Sequence, residues 1–247
     1  VVISPAGCAS ADKYGRGCPR PCTFYELFGF GACDLSGRAL RFTAQGNGSH
    51  AVTSCTASSF DPGFTNNLSL TDDSLAVGLN LGFTFNYCGG STSTIDVCSN
   101  GFVWLVSGSS SSASYIPTTA AFLGDPARLA PIWMDLDPSS GGGVYFDTRP
   151  GRAMVTWDQV PALGVSGSSN TVQLQLFANG DFIVAWQNVR NNAASVGEAI
   201  VGFSQGNGIS DPGPIDVSAV PYTTGNGIPL TLGGQAGSLP VIGTTFV

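Results

Sequence analysis

Gly202-Phe203-Ser204-Gln205-Gly206 has the Gly-x-Ser-x-Gly spacing of a nucleophile elbow and follows an apolar stretch, Ala199–Val201. In that motif a tight turn lifts a serine off a strand end, towards an acid and a histidine base that come later in the chain. Here the single histidine, His50, precedes the serine, at the end of Gly46-Asn47-Gly48-Ser49-His50, a sequence suited to a hairpin tip. Other folds use other chain orders, so a serine hydrolase built on Ser204 stands as the remote alternative. The direct reading of the motif is a glycine-rich strand end, and no catalytic residue is assigned.

Carboxylates gather at Asp72-Asp73 and at Asp135-Leu136-Asp137, the latter followed by Pro-Ser-Ser-Gly. Carboxylate and carbonyl oxygens around tight turns are the ligands that Ca²⁺ takes, six to eight at a time. The sequence requires no cofactor, and calcium is the one these oxygens could take, with Asp72, Asp73, Asp135 and Asp137 as its candidate ligands. Against this stands the ordinary use of Asp to end strands and cap turns. Paired Asp residues also serve as acid and base in glycoside hydrolysis, but that needs a cleft and matched pKa values. Trp104, Trp133, Trp157 and Trp186 lie among Val, Leu and Ile, which favours core positions over a sugar-stacking platform.

Seven cysteines (Cys8, Cys18, Cys22, Cys33, Cys55, Cys88 and Cys98) fall in the first 98 residues and none follows. Paired short spacings of a zinc site are missing, and clustered cysteines in a chain with a single lysine, Lys13, fit an oxidising, extracellular or cell-surface setting. The favoured pairs are Cys88–Cys98, across a Gly-Gly-Ser-Thr-Ser-Thr turn, and Cys33–Cys55, across a hairpin spanning Leu40–Val52. Asn47-Gly-Ser and Asn67-Leu-Ser fit the N-glycosylation pattern. Attached or bound glycans are thus possible partners in this reading.

Charge narrows the classes further. Nine Lys+Arg and sixteen Asp+Glu make 10% charged residues, against about 25% in ordinary soluble domains. A net charge of −7 and a pI near 4.3 repel phosphate and argue against nucleic acid. No apolar run reaches the roughly 20 residues of a membrane helix. With 43% hydrophobic residues, disorder is unfavoured.

The elements that must position these groups read as strands. Short β signals recur between Gly, Asn and Asp, among them Ala39–Ala44, Ala51–Cys55, Leu75–Val77, Gly82–Tyr87, Ala153–Gln159 and Ala199–Phe203. In Thr171–Phe177, Val172, Leu174 and Leu176 alternate with Gln173 and Gln175, the pattern of a half-buried strand. Asn179-Gly180 then supplies a hairpin turn into Asp181–Trp186. Thr23–Phe30 and Thr118–Leu123 each offer a short helical turn at most. The predicted fold is all-β, an antiparallel β-sandwich with many hairpins and little helix. Residues 1–74 read as a disulfide-rich β segment packed on a core at 75–220. Residues 221–247 read as a β extension whose last strand, Leu239–Val247, is suited to donation to a neighbouring subunit.

Arg128-Leu-Ala-Pro-Ile-Trp-Met-Asp-Leu-Asp137, then Gly-Gly-Val-Tyr-Phe146, Ala153-Met-Val-Thr-Trp-Asp158 and Asn170–Phe177 occur in an order that resembles the NIDO domain, the extracellular module named from nidogen. The resemblance spans roughly residues 75–206, with Ile132 where that module usually has Phe. Phe24-Tyr-Glu-Leu-Phe28, Cys33-Asp-Leu-Ser36 and Leu70-Thr-Asp-Asp-Ser74 are similar to segments of large secreted or surface proteins of bacteria. The resemblance implies an extracellular, non-catalytic interaction or matrix role and carries over no functional residues.

The expected function is therefore structural or adhesive, with self-association into an oligomer or fibre through the C-terminal strand. A calcium-assisted carbohydrate-binding module is the alternative. So few Lys and Glu leave strand edges without their usual guards, which favours pairing between copies.

Overall fold

In a computed structural model, residues 22–224 are described apart from 47, 57–58, 109–111, 166 and 195–196. Two antiparallel sheets face each other. One has the order β1 (Phe24–Phe28), β12 (Ala199–Ser204), β7 (Arg128–Trp133), β6 (Phe102–Trp104), β5 (Gly90–Cys98) and β4 (Leu75–Tyr87). The other runs β13 (Tyr222–Thr223), β3 (His50–Ser54), β2 (Arg38–Ala44), β11 (Phe182–Asn188), β10 (Asn170–Phe177), β9 (Arg152–Val160) and β8 (Gly143–Arg149). One short helix, α1 (Thr119–Gly124), and a 3-10 turn at Pro138–Ser140 complete the regular structure among the described residues.

Three sequence expectations change. Phe24–Phe28 is a strand, not a helical turn: it pairs along its whole length with β12, from Phe24 opposite Phe203 to Phe28 opposite Ala199. The described part of the segment read as packed on the core, residues 22–74, is woven into the sandwich, because β1 lies beside β12 and β2 beside β11. Leu75–Val77 and Gly82–Tyr87 join into one 13-residue strand, bent where the register slips between Ala76 and Leu79 and between Asn80 and Phe85. The helical turn expected at Thr118–Leu123 is present as α1, and Asn179-Gly180 does join β10 to β11.

Alternation decides what is buried, with an addition from loops. Leu174 and Leu176 point into the core, yet Gln173 and Gln175 are also buried. The segment Ser59–Asp61 lies over them: Gln175 Nε2 donates to Ser59 O (2.6 Å) and Gln173 Nε2 to Asp61 O (2.9 Å). Buried amides paired this way hold a loop on a sheet that would otherwise be half wet.

Apolar side chains separate into two clusters. The larger fills the space between the sheets and includes Phe42, Phe85, Leu129, Ile132, Trp157, Phe182 and Trp186. The smaller lies on the outer face of the six-stranded sheet and joins Tyr25, Cys98, Phe102, Trp104, Phe122 and Trp133. β7 is buried on both faces and feeds both clusters. Pro131 is tolerated inside it because the β12 pairing breaks register there, between Ile200 and Gly202, which is where proline fits in a sheet.

Strand edges are managed by covering. Leu68 N–H donates to Val144 O and Phe146 N–H to Asn66 O along β8. The segment Asp211–Val217 covers β1: Ile215 N–H reaches Tyr25 O (2.8 Å), Val217 N–H reaches Glu26 Oε2 (2.9 Å), and Tyr25 Oη reaches Asp211 Oδ1 (2.9 Å). β13 covers the start of β3. Among the described residues no segment bonds the outer edge of β4. The C-terminal strand read at Leu239–Val247 lies outside the described residues.

Candidate functional site

Ser204 is fully buried on β12, and its Oγ accepts the Gly206 N–H at 3.0 Å. The two glycines of the motif serve backbone packing. A Cβ on Gly202 would stand 2.2 Å from Phe24 O, and one on Gly206 would stand 2.1 Å from Asp125 O. His50 belongs to the other sheet, where its Nε2 meets Gly180 O at 3.1 Å and its ring edges against Phe182. Burial lowers its pKa. The serine and the histidine are thus engaged with different partners on different sheets.

The cysteine pairing differs from expectation. Cys88 bonds to Cys22. Cys88-Gly89 is the tip of the β4–β5 hairpin, with Tyr87 opposite Gly90, whereas Cys98 sits at the far end opposite Leu75. A nine-residue strand separates them, about 30 Å at the rise of a β-strand, so Cys88–Cys98 cannot form. Cys33, Cys55 and Cys98 are free. The Cys33 N–H is held by Asn191 Oδ1, in the loop beyond β11, while Cys55 N–H pairs with Ala39 O. They thus flank β2 from opposite sides. Burial pushes the Cys98 thiol up to about 12 and the Cys33 thiol up to about 11. Cys8, Cys18 and the glycosylation candidate Asn47 lie outside the described residues; Asn67 is exposed, with its Oδ1 taking the Ser69 N–H.

Each of the four tryptophans is buried, and each indole N–H finds a backbone carbonyl: Trp157 reaches Cys98 O, Trp186 reaches Pro131 O, Trp104 reaches Ser112 O and Trp133 reaches Ser114 O. The last two bind the serine-rich loop down as a strap over the outer cluster. Beneath it Arg128 is fully buried, 3.9 Å from the Trp104 ring centroid, 4.4 Å from Trp133 and 5.2 Å from Phe102. Its Nη2 donates to Ala121 O at the end of α1 and to Asp125, while Nε and Nη1 have only ring faces. Burial brings the guanidinium down to about 10 against the pull of Asp125.

Three of the four predicted calcium ligands do converge. Carboxylate oxygens of Asp72, Asp73 and Asp135 all lie within 4.8 Å of one another. The loop that carries the first two is pinned by Ser74 N–H to Ser99 Oγ and Asp72 N–H to Ser139 Oγ. Buried Asn100 ties the corner together, donating to Asp73 Oδ1 (2.7 Å) and accepting the Leu136 N–H (2.9 Å). Burial and the neighbouring Asp73, Asp137 and Asp135 raise the Asp72 pKa, as crowded carboxylates do. Asp137 is not part of the trio. It caps the 3-10 turn, taking the Ser139 N–H at 2.8 Å and the Ser139 and Ser140 hydroxyls. Burial opposes its ionisation, but those bonds outweigh it and lower its pKa.

Beyond Ser139 the surface opens into a polar groove lined by Ser140, Tyr145, Asp158, Gln159, Pro161 and Ser169, among others. Tyr145 is half-buried on β8. Its ring lies 4.8 Å from Phe64, which in turn meets Phe60 edge-on at 6.1 Å. No sequence signal marked this aromatic row, because Phe60 and Phe64 fall in a loop without periodicity.

The sequence model of the family described as NIDO related matches residues 50–226. No curated protein and no solved structure matches the chain. Among the described residues no helix is long and apolar enough to cross a membrane.

Proposed function

The chain belongs to the NIDO-related family, an extracellular type of domain, and from that premise we propose that it acts outside the cell by binding, as an adhesion or matrix module, without catalysing a reaction. The observation that carries this reading is the engagement of its reactive groups inside the fold. Ser204 and Cys98 are fully buried, and His50, on the other sheet from Ser204, is bonded to the Gly180 carbonyl in the β10–β11 turn. The Cys22–Cys88 disulfide is compatible with an oxidising compartment. Fluorophosphonate labelling of the native protein tests the reading. We expect no labelling; a label that disappears in Ser204→Ala overturns it.

Fibre assembly by strand donation needs an open edge, and among the described residues β13 ends its sheet with only two residues, which leaves β4 as the long one. Its bulges interrupt the ladder and twist the edge, which opposes addition of a further strand. Adhesion to another surface is therefore the form we favour. Electron microscopy of the full chain and of a chain lacking Leu239–Val247 decides between them: filaments formed by the first and not by the second would restore the fibre.

A second reading, calcium-assisted carbohydrate binding, is supported by the convergence of Asp72, Asp73 and Asp135. An ion there would relieve the mutual repulsion that raises Asp72. Saturating Ca²⁺ at a hundred times its Kd stabilises by about 2.7 kcal/mol, which for a chain of this size is a rise in Tm on the order of 5–10 °C. The rise should vanish in Asp72→Asn; no rise in the native protein removes this reading.

A further inference from the structure

We propose that the groove beside β8, with Tyr145 in its wall and Phe64 packed on that ring, is a cleft for an uncharged saccharide chain that binds without a metal. The proposal rests on the reading of the protein as an extracellular binding module, and it places the ligand away from the Asp72, Asp73 and Asp135 corner. The groove has a volume of about 960 Å³, large enough for several sugar rings.

Its chemistry selects the ligand class. Ser140, Ser169, Gln159 and Asp158 line it, offering donors and acceptors together, with the Ser140 hydroxyl proton already given to Asp137. An apolar ligand would leave those groups desolvated and unpaired. An anionic one would meet Asp158, the one charged residue among the described lining, with no cation to offset it. A chain of neutral hydroxyls, each both donor and acceptor, matches the walls. Tyr145 supplies ring surface for the C–H face of a sugar, and Phe64 backs that ring.

The floor is fixed before any ligand arrives. Gln159 is held at φ 53°, in the left-handed region that non-glycine residues rarely occupy. It is kept there by its N–H bond to Thr171 Oγ1 (3.0 Å) at the register break between β9 and β10. Gly142, at φ 67°, presses so close that a Cβ would stand 2.3 Å from Asp158 O and 2.5 Å from the Gln159 carbonyl. Strain of this kind persists where the surrounding structure over-determines it, often at ligand clamps.

The test is an array of neutral and acidic oligosaccharides probed with the full chain, with Gln159→Gly and with Asp158→Asn, each in calcium and in EDTA. Hits are then measured by calorimetry. Gln159→Gly removes the strain and Asp158→Asn keeps the shape, so both should unfold at or above the native temperature. We expect at least one neutral glycan bound equally in EDTA, and at least tenfold more weakly by each variant. Neutral binding unaffected by both variants, or binding of acidic glycans alone, overturns the proposal. Binding that is lost in EDTA and in Asp72→Asn, yet indifferent to the groove variants, overturns the cleft and upholds the calcium-assisted reading. No glycan bound at all overturns the cleft but leaves the wider reading, which stands or falls on the fluorophosphonate result.

Discussion

Aromatic rings gather in two places, on the outer face of the six-stranded sheet and along the β8 edge. At the first, Phe102, Trp104 and Trp133 enclose Arg128, and both indoles hold the strap down through Ser112 O and Ser114 O. At the second, Phe60, Phe64 and Tyr145 meet edge-on or tilted and remain half-buried beside a polar groove. The first region closes on itself because each indole N–H of its rings has an internal carbonyl. The second stays open because its rings bring no such fastening. An aromatic residue is thus available to a partner according to what its neighbours satisfy, not according to its size.

The sharpest way to break this comparison is truncation in each region. Trp133→Ala should cost about 3–5 kcal/mol, the range for emptying a packed aromatic site. Tyr145→Ala should cost only about 1 kcal/mol, the worth of a ring pair at a half-buried position. Urea denaturation reads both; equal costs would mean that the β8 row is as much core as the strap.

Arg128 asks what closes the closed region. Arg128→Ala should lose about 3 kcal/mol through the void left among three rings and the freed end of α1. Arg128→Met, which refills the volume without a charge, should fall within about 1 kcal/mol of the native protein, since apolar replacement of a buried charge is often neutral or better. Should methionine prove as damaging as alanine, the cation–π contacts and the Asp125 bond would be the closing force, and packing would be secondary.

Much of the packed interior was legible in the sequence and almost nothing of the open aromatic row. Val172, Leu174 and Leu176 announced β10, and the tryptophans among β-branched residues announced a core, because alternation and ring size are local signals. Phe24–Phe28 deceived, since its strand character comes from β12, some 175 residues later in the chain. Cys88–Cys98 deceived for the opposite reason: Cys88-Gly89 takes the turn, so an apparent loop of Ser and Thr is strand β5. Three of the four carboxylates read as calcium ligands lie together, but the fourth serves as a cap, a choice made by the two serines that follow it. The open aromatic row depends on Phe60 and Phe64 meeting Tyr145 across the fold, and no spacing encodes that.

Closure by a titratable group forms an intermediate case. Glu26 fastens the Asp211–Val217 segment over β1, and burial raises its carboxyl to about 7, helped by Asp216 and Asp34 and opposed by the Val217 bond and Arg38. A carboxyl whose folded pKa lies above its unfolded value stabilises fully below the unfolded value, and that contribution is lost as pH rises through the folded one. Native stability minus that of Glu26→Gln should therefore decline between about pH 4.5 and 7 and then level off. His50, with its lowered pKa, acts in the reverse direction and cancels in the difference. A flat difference would show that the segment is held by backbone bonds alone.

The smallest expected effect tests how the strap itself is ordered. α1 has six residues, too few to be stable alone, so its order derives from Thr118, Arg128 and the rings below. Thr118 Oγ1 accepts the Ala121 N–H at 3.2 Å as the cap of α1. Thr118→Ala should cost about 1 kcal/mol, close to a fivefold rise in local opening. Because the indole N–H groups of Trp104 and Trp133 both bond to this strap, hydrogen exchange should quicken at Ser112–Gly124 and acrylamide should quench more tryptophan emission. Amides along β8 should not respond, since the open cleft shares no fastening with the strap. A global acceleration instead would mean that the outer cluster and the sandwich unfold as one unit, and the separation between a closed and an open aromatic region would be one of exposure without independence.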